Sequence, residues 1–217
     1  ECRYHNAAIG FRGRYGVRVV ARGVAAHASR YPRLGTNAII AAAQLAQELE
    51  KLPTKVHPQM GGGTCLVRQI EGGTRQTITV ADRCEIYFDR YVVPGEDQAF
   101  VIGQVRDLAE RMGIGDRVEV DMVPRSTPYM EPFAIPKEHP LVMSLAGAYT
   151  ELEQKPLAFE YDPSICDANY LATLAGIPTV TFGPSGQGLH GPNEYGLWSQ
   201  VKGSTEIYLK VVSDLLK

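Results

Sequence analysis

The sequence predicts an α/β chain in two parts, a ferredoxin-like β-α-β-β-α-β unit (itself α+β) followed by one half of an α/β domain. Three observations point there. Strand-like apolar alternation dominates the chain up to about Val123, and a proline-rich passage from Pro124 to Pro140 then interrupts it. Beyond that passage, helical periodicity is interleaved with short apolar runs.

Between Arg12 and Gly23, Val17, Val19 and Ala21 fall on one strand face and Arg18 and Arg22 on the other. Gly35 to Leu52 follows as a helix, because Ala38, Ile39, Ala42, Leu45, Ala46 and Leu49 recur at helical steps and Pro53 stops it. Cys65 to Ile70 and Val80 to Tyr91 read as two strands divided by the turn-forming Glu71-Gly-Gly-Thr74. Pro94-Gly95 turns the chain into a helix from about Asp97 to Met112, Gly113-Ile-Gly115 ends it, and Val118 to Val123 alternates as a fourth strand. That order makes an antiparallel sheet with two helices on one face.

In the second part His139 to Leu152 reads as a helix, Leu157 to Tyr161 as a short strand and Cys166 to Ala175 as a helix. Ile177 to Phe182 is a buried strand, and Val201 to Leu216 closes the chain as a helix with Ile207, Leu209, Val211, Val212 and Leu215 apolar. Two short strands among three helices make too thin a sheet to close a core. The remaining strands are expected from elsewhere.

Among 217 residues, 22 Lys and Arg stand against 24 Asp and Glu, which gives no support to a nucleic-acid or anionic-membrane partner. No apolar run approaches the ~20 residues of a membrane span. Cys2, Cys65, Cys84 and Cys166 form no Cys-x-x-Cys, so neither a zinc knuckle nor a disulfide framework is read, and reduced thiols in the cytoplasm are the expectation. The sequence opens on Glu1 without Met, so the natural chain is expected to begin upstream.

The densest chemical signal is Phe182-Gly-Pro-Ser-Gly-Gln-Gly-Leu-His190-Gly-Pro-Asn-Glu194, a strand running into a Gly-rich loop that delivers one His. Ligands of open α/β sheets sit at the carboxyl ends of strands, so His190 stands where a metal ligand or a base belongs. Taken alone it fits a loop His bonded to backbone equally well. His27, at a strand end among small residues, either reaches a neighbouring site or is structural. Asp167 opens a helix and reads first as a cap. Asp89-Arg90 reads as a strand-end ion pair before the turn Pro94-Gly95-Glu96.

Together, Arg12-Gly-Arg14, Gly23-x-x-x-His27-Ala-Ser, Pro32-x-x-Gly35-x-Asn37-Ala-Ile, Asp89-Arg90-x-x-x-Pro94-Gly95-Glu96, Cys166-Asp167-Ala168, Gly176-Ile-Pro-Thr-Val-Thr-Phe-Gly-Pro184 and His190-x-Pro-Asn-Glu194 resemble one family over essentially the whole chain. It is the co-catalytic zinc metallopeptidases that include aminoacylase, acetylornithine deacetylase, succinyl-diaminopimelate desuccinylase and carboxypeptidase G. The resemblance implies the end of a catalytic-domain segment at 1–11, a ferredoxin-like lid and dimerisation domain at 12–124, and the C-terminal half of an α/β zinc-peptidase-like catalytic domain at 125–217.

It further implies amide hydrolysis of a small peptide or N-acyl amino acid with two zinc ions, in a homodimer formed through the lid. His190 is similar to the last metal ligand, and Glu1 stands where an acidic ligand stands. His27 resembles the lid histidine that crosses the dimer to stabilise the oxyanion. Gly183 and Ser185 match the loop whose amides grip the substrate carboxylate, and Asp167 falls in the same substrate region. The general base and the other ligands precede the lid in the family, so this chain alone is expected to hold zinc poorly and to be inactive without the missing N-terminal half. Two departures, Ile78 in place of a substrate-holding Asn and Asn169 in place of an Arg, leave open a non-catalytic dimerisation or ligand-binding module.

Overall fold

The computed structural model describes residues 4–188 and 191–216. Their chain divides into two compact units: one runs to Gly13, takes in Pro58–Met60 and resumes at Met130, and the other is Arg14–His57 with Gly61–Tyr129.

The second unit holds the strands β2 (Gly13–Arg22), β5 (Thr64–Gly72), β6 (Arg83–Val92) and β7 (Val118–Met122), in the sheet order β5-β6-β2-β7. β2 pairs antiparallel with β7, Val19 opposite Val120, and β5 pairs antiparallel with β6, Val67 opposite Phe88. The helices α1 (Ala38–Leu49) and α2 (Gln98–Arg111) pack on the sheet and close a core with Tyr15, Val17, Val19, Leu45, Ile86 and Phe88. Asn37 starts α1 by accepting the Ile39 amide at 2.9 Å, and Asp97 starts α2 by accepting that of Phe100 at 2.7 Å. One short antiparallel pair, β3 (Val56–His57) with β4 (Gly61–Gly62), also belongs to this unit. The sheet order and helix placement are those of the mixed α/β, ferredoxin-like lid that the sequence predicts.

The expected Asp89–Arg90 ion pair is not what forms. Neighbours along a strand face opposite ways, so Asp89 turns to Arg14 (2.7 Å) and Arg68 (3.4 Å), while Arg90 goes into the core and meets Glu96 at 2.9 Å. Both side chains of that second pair are fully buried. Glu96 accepts the Lys55 and Val93 amides, and Arg90 donates to the Pro53 carbonyl. Gly95, at φ +95°, makes the turn that brings Glu96 back.

The first unit is built on β1 (Asn6–Phe11). It pairs parallel with β9 (Ala158–Asp162) and antiparallel with β8 (Phe133–Ala134). The helix α3 (Pro140–Glu153) is capped by His139 and packs against α5 (Trp198–Leu215). Between them in sequence lie α4 (Ala168–Thr173) and the pair β10 (Gly186–Gln187) and β11 (Tyr195–Gly196).

One expectation needs correction here. Ile177 to Phe182 is not a buried strand: it makes a single bridge, Thr181 with Ala8, and Ile177 is half exposed. Pro178 has no amide to give a ladder, and the Ile177 amide is turned back to Leu171. In α5, Ile207 and Val211 are buried, but Leu209, Val212 and Leu215 are exposed among the described residues, because only one stripe of the helix faces α3. Among the described residues no helix is long and apolar enough to cross a membrane.

Candidate active-site residues

After β2 the chain is held on both sides. Val24 and Thr36 exchange amide bonds at 2.9 Å, the Val80 amide donates to Ala26, and the Ala28 amide donates to Ile78. Gly23 permits the closest approach: a Cβ there would lie 2.1 Å from the Thr36 carbonyl oxygen. The small residues around His27 thus accommodate this chain's own return.

Pinned at this position, His27 is exposed and opens the short turn Ala28–Arg30. Its Nδ1 takes the Ser29 amide at 3.3 Å and lies 2.9 Å from the Ser29 hydroxyl. A groove of about 580 Å3 runs beside it, lined by Val24, Ala26, His27, Ser29, Arg30 and Leu34. Ile78, largely exposed, contacts this loop through its carbonyl, so the position that departs from the family pattern lies next to His27.

In the other unit Gly183 is buried. Ser185 is tied three ways: its amide donates to Gln200 Oε1 at 2.7 Å, its hydroxyl accepts the Tyr4 amide at 3.2 Å, and its carbonyl accepts the Leu197 amide. The Tyr208 hydroxyl donates to the Phe182 carbonyl just ahead of this loop. Tyr4 donates its hydroxyl to Glu153, and burial followed by that bond pushes the phenol well above its ordinary range.

Asp167 occupies the cap position of α4, exposed, and its side chain makes no capping bond; only its carbonyl accepts, from Tyr170 and Leu171. Asn169 is fully buried and fully used. Its Oδ1 accepts the Cys166 amide at 2.9 Å, and its Nδ2 donates to the carbonyls of Arg12 (2.9 Å) and Glu131 (2.8 Å).

The two residues read as metal ligands, Glu1 and His190, lie outside the described residues. Among the described residues no group of three or more His, Cys, Asp or Glu side chains could hold a metal ion. Burial raises the thiols of Cys65, to about 11, and of Cys84 and Cys166. Nothing in the sequence signals the buried Arg90–Glu96 pair or the Asn169 knot, although Arg90 and Glu96 lie inside one quoted motif and Asn169 directly follows another; only three-dimensional pairing distinguishes Glu96 from a turn residue.

A family model described as the peptidase dimerisation domain matches residues 9–117. No curated protein matches the sequence. Among solved structures the chain is similar to aminopeptidase PepT from Bacillus cereus, at 20% identity and a TM-score of 0.79, covering 100% of this chain and 56% of that one. It is also similar to a tripeptidase from Staphylococcus aureus, at 18% identity and a TM-score of 0.75 over 96% of this chain and 53% of that one. A third is an M20 family metallo-carboxypeptidase from Sulfolobus solfataricus, at 12% identity and a TM-score of 0.63 over 97% and 61%. The chain spans a little over half the length of the first two.

Proposed function

The chain belongs to the M20 peptidase family through its dimerisation domain, and on that premise we propose that it is the C-terminal portion of a zinc-dependent metallohydrolase that cleaves an amide bond of a small peptide or N-acyl amino acid. In this reading residues 12–124 are the lid, residues 1–11 end the catalytic-domain segment that precedes it, and residues 125–217 are the C-terminal half of the catalytic domain; the compact unit Arg14–His57 with Gly61–Tyr129 supports the lid. The observation that supports it most is His27, exposed beside a groove on a loop tied down by the Thr36 and Val80 bridges.

His27 serves as the donor to the developing oxyanion, reaching across a lid-mediated homodimer; a fixed donor aimed at charge that appears only in the transition state is what lowers the barrier. Gly183 and Ser185 take the substrate carboxylate by their amides. Since the Ser185 amide already donates to Gln200, a carboxylate enters only when Gln200 gives way. Asp167, exposed at the start of α4, belongs to the same substrate region.

Two zinc ions, held in part by His190 and Glu1, would supply a water ionised near neutral pH. The described residues form no site for them, and the steps assigned above are carried by this chain's side chains and amides. The missing N-terminal half completes the metal site, so the chain alone should be inactive. The proposed compartment is the cytoplasm.

One observation favours a second reading, a dimerisation or ligand-binding module without catalysis: Asn169 is buried and spent on backbone, where the family pattern has an Arg. Sedimentation, zinc analysis after dialysis and a hydrolysis assay on a tripeptide and N-acetyl amino acids test the proposal together. A dimer without stoichiometric zinc or turnover is expected of this chain, with turnover appearing when the N-terminal half is joined. A monomer at tens of micromolar sinks the dimer, zinc-dependent turnover by the chain alone that His190→Ala abolishes sinks the inactive half, and a joined protein that binds zinc without turnover supports the module.

A further inference from the structure

The geometry around His27 carries an inference about its proton. A backbone amide can only donate, and the amide of Ser29 points at His27 Nδ1 from 3.3 Å. A neutral imidazole has one nitrogen that donates and one that accepts. With Nδ1 receiving the Ser29 amide, that nitrogen carries no proton, and the ring's single N–H is on Nε2. The Ser29 hydroxyl, 2.9 Å from the same Nδ1, is then also a donor to it, because Nδ1 has no hydrogen to offer. Both polar groups of Ser29 therefore act in one direction.

The backbone leaves the ring little freedom to choose otherwise. His27 is bridged to Thr79, and its neighbours Ala26 and Ala28 bond to Val80 and Ile78, so the loop that presents Ser29 to the ring is held from the far side. We propose that Ser29 is a positioning residue: it fixes His27 as the Nε2–H tautomer and leaves that N–H as the donor available beyond the loop. This rests on the reading of His27 as an oxyanion donor for its use, though not for its geometry. A neutral ring protonated on Nδ1 would present a bare acceptor to an oxyanion and repel it. A ring with mixed tautomers would be competent only part of the time.

The test is a long-range 1H–15N spectrum of the histidine-labelled chain at a pH where its imidazoles are neutral, which distinguishes protonated from bare ring nitrogens directly. In the unaltered chain His27 should show a bare Nδ1 and a protonated Nε2, in an excess over the other tautomer about fivefold larger than in the same chain unfolded in urea, the equivalent of one ordinary hydrogen bond of about 1 kcal/mol. Ser29→Pro, which removes the amide donor, should abolish that excess. Ser29→Ala, which keeps the amide, should retain Nε2–H as the majority form and serves where the proline variant disrupts the loop.

Mixed tautomers or a protonated Nδ1 in the unaltered chain would overturn the proposal. So would an unchanged excess in a Ser29→Pro chain whose β2 and β6 amide signals are intact, or loss of the majority in Ser29→Ala. The spectra report the ring alone. A correct tautomer in a protein that never dimerises or hydrolyses would leave the role of Ser29 standing and remove the function assigned to His27.

Discussion

Replacing Glu96 by Ala should damage the lid more than any surface change could. The Glu96 carboxylate holds three donors at once: Arg90 Nη2 and the Lys55 amide, both at 2.9 Å, and the Val93 amide at 3.1 Å. Neither side chain of the ion pair touches solvent. Truncation leaves a buried guanidinium without its carboxylate and two amides without acceptors. Removal of one partner of a buried pair costs about 3–5 kcal/mol, and each orphaned buried donor adds about 1–3 kcal/mol where water does not reach it. Taking the pair alone as the floor, with water entering the space the side chain leaves and reaching the two amides, a loss of at least about 4 kcal/mol is expected. With a urea slope of about 2 kcal/mol per molar, the denaturation midpoint followed by circular dichroism falls by at least about 2 M.

The geometry also orders the variants. Arg90→Met should cost less than Glu96→Ala, because the carboxylate it strands keeps both amide donors, whereas Glu96→Ala strands the guanidinium and also leaves the Lys55 and Val93 amides without acceptors. The double variant Arg90→Met with Glu96→Leu should cost less than the sum of the single changes, since it removes both charges. A Glu96→Ala penalty under about 1 kcal/mol, or strictly additive single changes, would refute the reasoning.

Other outcomes follow from the same structure. Asn169→Leu strands the Cys166 amide and the Arg12 and Glu131 carbonyls, and should destabilise the unit containing them by about 3 kcal/mol; a urea midpoint unchanged within error would contradict this. The Tyr87 hydroxyl, and after it the Arg83 guanidinium, hold the Glu85 carboxyl below its ordinary range, as Arg22 does for Glu119. A depressed carboxyl stabilises the fold above its unfolded value of about 4.3 and loses that contribution as pH falls through the folded one. Lid stability should thus be level above about pH 5 and decline below about pH 4, and Glu85→Gln should flatten part of the decline; an unaltered slope in that variant would count against it. With its thiol pushed up to about 11 by burial, Cys65 should be roughly 0.1% thiolate at pH 8 and react with a disulfide reagent hundreds of times more slowly than an unfolded cysteine. Equal rates in native and urea-unfolded protein would show that the burial is not maintained.

Much of the lid was legible in the sequence because its elements obey local rules. The apolar period of Val17, Val19 and Ala21, the caps Asn37 and Asp97, and the stop at Pro53 act within a few residues of themselves. Ile177 to Phe182 misled for the complementary reason: an apolar run says that a segment can be a strand, while the ladder depends on which edge is free, and here β8 shares the edge of β1 with a single bridge at Thr181. β1 itself, Asn6–Phe11, passed unread because its partners β8 and β9 arrive more than a hundred residues later.

The sequence by itself determined the family, the order of the lid's strands and helices, and the place of His27 at a strand end among small residues, since seven short motifs in one order constrain a fold more tightly than any of them alone. Tertiary structure decided the partnerships. It sent Arg90 to Glu96 and Asp89 to Arg14, committed the Ser185 amide to Gln200, spent Asn169 on two distant carbonyls, and set Ser29 against His27 Nδ1. Hydrogen bonds and buried charges depend on distance and direction in space, and a linear sequence records which groups are available without recording which of them meet.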